Sequence, residues 1–198
     1  MPAERGACVD YSGPMVAEAN SVSTVVGGER LLAKRSAVNA AGTLCELRID
    51  GVLLRPIRPV PHEDGTLAEI ARMDWPEVAD PIVHVHLTTT EPSRVRAWGL
   101  HRHSTDRLFV AKGLVSVVVF DGRVGSPTYG VVNEFKVSER NPCLLVNPPN
   151  LYHGWKVIGT AEAFIINMPT SAYDHGNPDA LNLPYESENA VDVVPRRW

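Results

Sequence analysis

At 198 residues the chain is long enough for one domain with a core that needs no disulfide or metal to hold it. Hydrophobic residues at 44% and charged residues at 21% exclude a largely disordered or fibrous chain. The net charge of -4, from 19 Lys+Arg against 23 Asp+Glu, has the wrong sign for a protein that neutralises nucleic-acid phosphates, so no nucleic-acid partner is expected. The longest apolar runs, such as Val117 to Phe120 and Cys143 to Val146, fall far short of the roughly 20 residues of a membrane span, so no membrane partner is expected either. The N-terminal stretch MPAERGACVDYSGPMVAEANS lacks a basic start followed by an apolar core, and a cytoplasmic location is expected. Cys8, Cys45 and Cys143 are widely spaced without a C-x-x-C pair and read as ordinary thiols.

Residues 1 to 50 are rich in Ala, Ser and Gly and read as an N-terminal extension: a lid, a dimer arm or a disordered tail. One helix is expected there, about Glu29 to Ala41, from the spacing of Leu31, Leu32, Arg35 and Val38. From residue 51 onward, Gly and Pro separate short runs rich in Val, Ile, Leu and Phe, the punctuation of an all-β fold. Expected strands are Gly51 to Arg55, Ile82 to Thr88, Leu108 to Ala111, Leu114 to Phe120, Val131 to Val137, Cys143 to Val146 and Glu162 to Met168. A second short helix is expected at Leu67 to Met73, and Asp121-Gly122 marks a turn after Phe120. The division that follows is 1–50 extension, 51–187 β domain and 188–198 C-terminal tail.

The histidines carry the chemistry. His84 and His86 form one pair and His101 and His103 another, each at a spacing that puts both rings on one face of a strand, and His153 stands alone. Imidazole titrates near neutral pH and offers a nitrogen ligand, so converging histidines serve proton transfer or metal binding. On the strand holding His84 and His86, Val83, Val85 and Leu87 occupy the opposite, apolar face. Arg94, Arg96, Arg102, Arg107 and Lys112 outnumber Glu91 and Asp106, a local excess of positive charge suited to an anionic substrate.

The segment WGLHRHSTDRLFVAKG, Trp98 to Gly113, and the later PPNLYHGW, in which Pro148-x-Asn150-x-x-His153 stands, resemble the two sequence motifs of the cupin superfamily. Asn150 replaces a turn glycine there, which is tolerable because Asn enters the left-handed region readily. A closer resemblance, from about Gly51 to Glu186, is to the dTDP-4-dehydrorhamnose 3,5-epimerase family of cupins. It rests on Gly99-Leu100-His101, on GLVSVVVFDGRVGSPTYG from Gly113 to Gly130, on Pro148 to Gly154 and on Ala161-Glu162. The resemblance implies a cupin-type jelly-roll β-barrel with short helices, assembled as a homodimer, without a cofactor, that moves protons beside the keto group of a sugar nucleotide. It makes His101 the base and places His153 in the same pocket.

The chain departs from the family at the positions that make it an epimerase. Ile165 stands at the catalytic tyrosine, Asp106 at a pocket lysine, and Trp98 and Asp64 at two arginines, while the C-terminal aspartate that orients the histidine has no counterpart. Arg102, Arg107 and Arg123 are the cations left to hold a diphosphate. The expected substrate-binding set is His84, His86, Trp98, Arg102, Asp106, Arg107 and Tyr152, with His101 and His153 catalytic. Two further readings stay open. One is a metal-dependent cupin enzyme holding a divalent transition metal ion at His101, His103 and His153, with Asp106 or His86 as fourth ligand and a small metabolite as substrate. The other is a non-catalytic ligand-binding cupin, motivated by Ile165.

Overall fold

The computed structural model describes residues 23–26, 29–32, 48–195 and 198. The chain divides into two units, residues 1–46 and 47–198. In the first, β1 (Ser23–Val26) pairs antiparallel with β2 (Glu29–Leu32). The expected helix therefore begins as a strand, and its residues 33–41 lie outside the described residues.

The second unit holds β3 (Leu53–Pro56), the hairpin β4 (Val60–His62) and β5 (Gly65–Leu67), β6 (His86–Thr90), β7 (Val95–His101) and β8 (Asp106–Lys112). There follow β9 (Leu114–Phe120), β10 (Val132–Ser138), β11 (Cys143–Asn147), β12 (Tyr152–Val157), β13 (Ala163–Asn167), β14 (Ala180–Asn182) and the short helix α1 (Ala190–Val193). Two five-stranded antiparallel sheets, ordered β10-β9-β12-β7-β14 and β3-β11-β8-β13-β6, form the jelly roll. The helix expected at Leu67 to Met73 does not form: Leu67 ends β5, and the chain runs on without helix to a 3-10 turn at Pro76–Val78. Ile70 and Ala71 pack instead against a sheet's outer face.

Strand alternation sorts the side chains into three apolar layers. Between the sheets lie Val115, Val117, Val119 and Trp155 from one and Leu108, Val110, Leu145 and Ile165 from the other. Phe109, Leu144 and Val146 point the other way, covered by Ile57, Val78 and Met168. Trp98, Val118 and Phe120 form the third layer, on the outside of the other sheet, where Leu183, Val194 and Trp198 close over them. The C-terminal stretch is thus a cover, with Trp98 and Trp198 rings 5.1 Å apart. The strand expected from Ile82 to Thr88 starts only at His86, so His84 precedes β6; Val83 and Val85 before the strand and Leu87 within it are more than half exposed, Leu87 at the free edge of its sheet. Among the described residues no helix is long and apolar enough to cross a membrane.

Candidate active site

One end of the barrel gathers the ends of five strands. His101 closes β7, Asp106 opens β8, Asn147 closes β11, His153 follows the first residue of β12, and Asn167 closes β13. The Pro148–Asn150 turn aims His153: Asn150 takes a left-handed φ of 63° and donates its backbone N–H to the His101 carbonyl at 2.7 Å. Gly99 faces the imidazole, and a Cβ there would come within 3.2 Å of His153 Nε2, so a bare backbone makes room for the ring.

Asp106 is the hub. Its side chain is buried, and Oδ2 lies 3.3 Å from His101 Nε2 and 3.2 Å from His153 Nε2. Asn167 Nδ2 donates to Oδ1 at 2.7 Å, fixing the carboxylate's orientation. The two imidazoles stack with centroids 5.5 Å apart. His153 is buried, which pushes its pKa below the usual histidine value; the nearby His101 acts in the same direction and Asp106 opposes it. His101 is a quarter exposed at its side chain and is the member that a ligand can reach.

The sequence reading missed Asp179, and its expectation that no C-terminal aspartate faces His101 is corrected here. β14 pairs with β7, Ala180 opposite His101, and so delivers the Asp179 carboxylate to 3.7 Å from His101 Nδ1. The same carboxylate accepts the backbone N–H groups of Arg102, His103 and Ser104. Burial alone would raise its pKa, but these donors hold it below the usual carboxylate value. No local signal marks Asp179, because its partners are more than seventy residues away.

Several expected pocket residues belong elsewhere. Trp98 is fully buried in the outer layer, and Tyr152 packs beside Phe120 in that layer, so neither presents a ring to the His101 side. Arg107 alternates outward from Asp106; its buried guanidinium donates to the backbone carbonyls of Asp80 and Met168. Arg123 is bound to the Asp121 carboxylate. Arg102, exposed and donating to the Pro178 carbonyl at 3.4 Å, remains at the rim. His103 is exposed and offers no atom to the centre; among the described residues the group that could hold a metal ion is His101, Asp106 and His153. His84 and His86 rings stand 5.2 Å apart. Burial lowers the His86 pKa, and His84, Arg96 and His101 act in the same direction, while Asp106 opposes them. Ile165, on the inner face of β13, is buried in the central layer and has no proton to give.

The model of the family described as dTDP-4-dehydrorhamnose 3,5-epimerase matches residues 46–187. The chain belongs to that family. It is 34% identical over 141 residues, 70% of this chain and 89% of the relative, to the probable low-salt glycan biosynthesis epimerase Agl13 of Haloferax volcanii. It is 29% identical to the spore coat polysaccharide biosynthesis protein SpsL of Bacillus subtilis, covering 71% of this chain and 92% of that one. Among solved structures it resembles a dTDP sugar isomerase from Desulfovibrio desulfuricans G20, with a TM-score of 0.69 and 26% identity over 76% of this chain and 92% of that one. The cupin jelly roll expected from sequence is therefore the fold, and the family is one of sugar epimerases.

Proposed function

We propose that this member of the epimerase family moves a proton beside the keto group of a nucleotide-linked keto-sugar, with His101 as the base. The convergence of His101 and His153 on buried Asp106, with Asp179 behind His101, is the observation that carries this reading. His101 Nε2 takes the proton from the carbon next to the carbonyl. The imidazolium that results lies between two carboxylates, Asp179 at Nδ1 and Asp106 at Nε2, which favours the charged form as it arises. His153, on the same Asp106 oxygen, gives the proton a second place to rest. With Ile165 where the family has tyrosine, the proton returned to carbon derives from solvent. Arg102 is the rim cation available to the substrate's phosphates.

The test is solvent-deuterium incorporation into a dTDP-linked 4-keto-6-deoxy-sugar in heavy water, followed by NMR. The wild type is expected to exchange the hydrogen next to the ketone, and His101→Ala to lower the rate about 1000-fold, within the range for loss of a general base. Absence of exchange with every keto-sugar nucleotide tried would remove the reading, and tight binding without turnover would favour a ligand-binding cupin. A homodimer belongs to the same proposal. The exposed Leu87 on edge strand β6, with Val83 and Val85 just before it, is suited to a second copy, which light scattering in solution would detect.

A further inference from the structure

The register between β13 and β6 puts a further histidine on the wall of the site. Ala163 stands opposite Thr90, Ile165 opposite Thr88 and Asn167 opposite His86. Residues directly opposite in an antiparallel pair share a face, and Ala163 and Ile165 lie in the central layer, so Thr90, Thr88 and His86 line the barrel interior. Trp155, reaching across from the other sheet, fixes that parity by donating its Nε1–H to Thr90 Oγ1 at 3.1 Å. His86 therefore stands beside Asn167, the amide that holds Asp106, and one alternation nearer the mouth than Thr88, the neighbour of Ile165. His101 belongs to the opposite sheet. Two strand spacings, about 10 Å, separate β6 from β8 and leave room for a sugar ring between His86 and the His101–Asp106 pair.

An epimerase inverts a carbon, so the proton that leaves one face is replaced by a proton arriving at the other, and one base on one side cannot serve both. We propose that His86 is the general acid of this site, delivering a proton to the face of the sugar opposite His101. The inference rests on the proton-abstraction reading above. When His101 Nε2 removes the proton, the C–H electron pair becomes the C=C of an enolate and the carbonyl oxygen takes the charge. The enolate carbon then forms its new C–H bond with the proton of the His86 imidazolium, the carbonyl re-forms, and His86 is left neutral. Solvent recharges His86 and discharges His101, so no other reactant is consumed. Partial burial, with His84, Arg96 and His101 adding to it, holds the His86 pKa below the usual histidine value against Asp106, which makes the imidazolium a ready donor. The residue is open enough to solvent for water to recharge it. Tyr152 and Tyr185 pack in the outer layer, on the wrong side of their sheet for this role.

The test scores exchange and inversion separately, with the full-length protein and a dTDP-linked 4-keto-6-deoxy-sugar in heavy water, by counting deuterium at carbons of unchanged and of inverted configuration in NMR spectra. The wild type is expected to do both. His86→Gln should keep exchange within about threefold, since His101 returns deuterium to the face it came from, while inversion falls about 100-fold. His101→Ala should lose both, and Tyr173→Phe, at an exposed ring on the loop between β13 and β14, should lose neither. Inversion at the wild-type rate in His86→Gln would overturn the proposal. Equal loss of exchange and inversion there would overturn it as well, since that is the mark of a binding or structural role. Exchange without inversion in the wild type would remove the acid and leave His101 as base, whereas no exchange at all would remove the underlying reading and this acid with it.

Discussion

Among the described residues two aspartates are almost wholly buried, and their partners differ. Asp121, at the end of β9, accepts hydrogen bonds from Arg123, Ser126 and Thr128, a permanent cation and two hydroxyls. Burial pushes its pKa up, but those donors outweigh burial and hold it well below the usual carboxylate range. Asp106 faces two imidazoles and one amide, with no permanent cation among them. A carboxylate tied to a fixed cation locks a loop, whereas one between two titratable rings is poised for chemistry. The Asp121 knot holds the loop that returns to β10, and the Asp106 hub holds nothing comparable in place.

The comparison breaks most visibly at Asp121. Asp121→Asn should cost about 3 kcal/mol, since it leaves Arg123 without its carboxylate, and should lower the melting temperature by roughly 10 °C. Thermal unfolding measures this, and exchange per folded molecule should be unchanged. The pH dependence has a definite sign: a carboxylate whose folded pKa is depressed stabilises the fold above its unfolded value of 3.8. That contribution is lost as pH falls from there through the folded value, and it should be missing from the acid-unfolding curve of Asp121→Asn. Asp106→Asn should do the reverse, lowering deuterium exchange about 100-fold with a smaller change in melting temperature. Gly99→Ala sharpens the geometry: its Cβ would press on His153 at 3.2 Å, and exchange should fall about 10-fold while the fold survives. The smallest effect is expected at Leu87→Lys, within about 0.5 kcal/mol for the folded chain because the side chain is exposed. Its consequence should instead be a weakened homodimer by light scattering.

Much of the barrel was legible in the sequence, because most of its strands are short runs rich in apolar residues set off by Gly and Pro. Leu114 to Phe120 is β9 with the expected bounds, and β8, β10, β11 and β13 differ from expectation by one or two residues at most at either end. Strands without that signal were not legible. In β7, Val-Arg-Ala-Trp-Gly-Leu-His has no clean alternation, and β12 begins at a segment that reads as a turn. Missing β7 and β12 hid the parity that puts Trp98 and Tyr152 outside while His101 and His153 face in. Helical spacing in Glu29–Leu32 misled, since four residues that pair with Ser23–Val26 satisfy a strand equally well. At the site, His101, Asp106 and His153 were legible through their motifs. Asp179 was not, because only the pairing of β14 with β7 brings it to His101.

The most direct test of Asp106 as the chemical hub compares wild type, Asp106→Asn and Asp121→Asn in one deuterium-exchange assay with a keto-sugar nucleotide, normalised to folded protein. Exchange should fall about 100-fold in Asp106→Asn and be kept in Asp121→Asn. Equal rates in wild type and Asp106→Asn would contradict it and make that carboxylate a structural group like its counterpart.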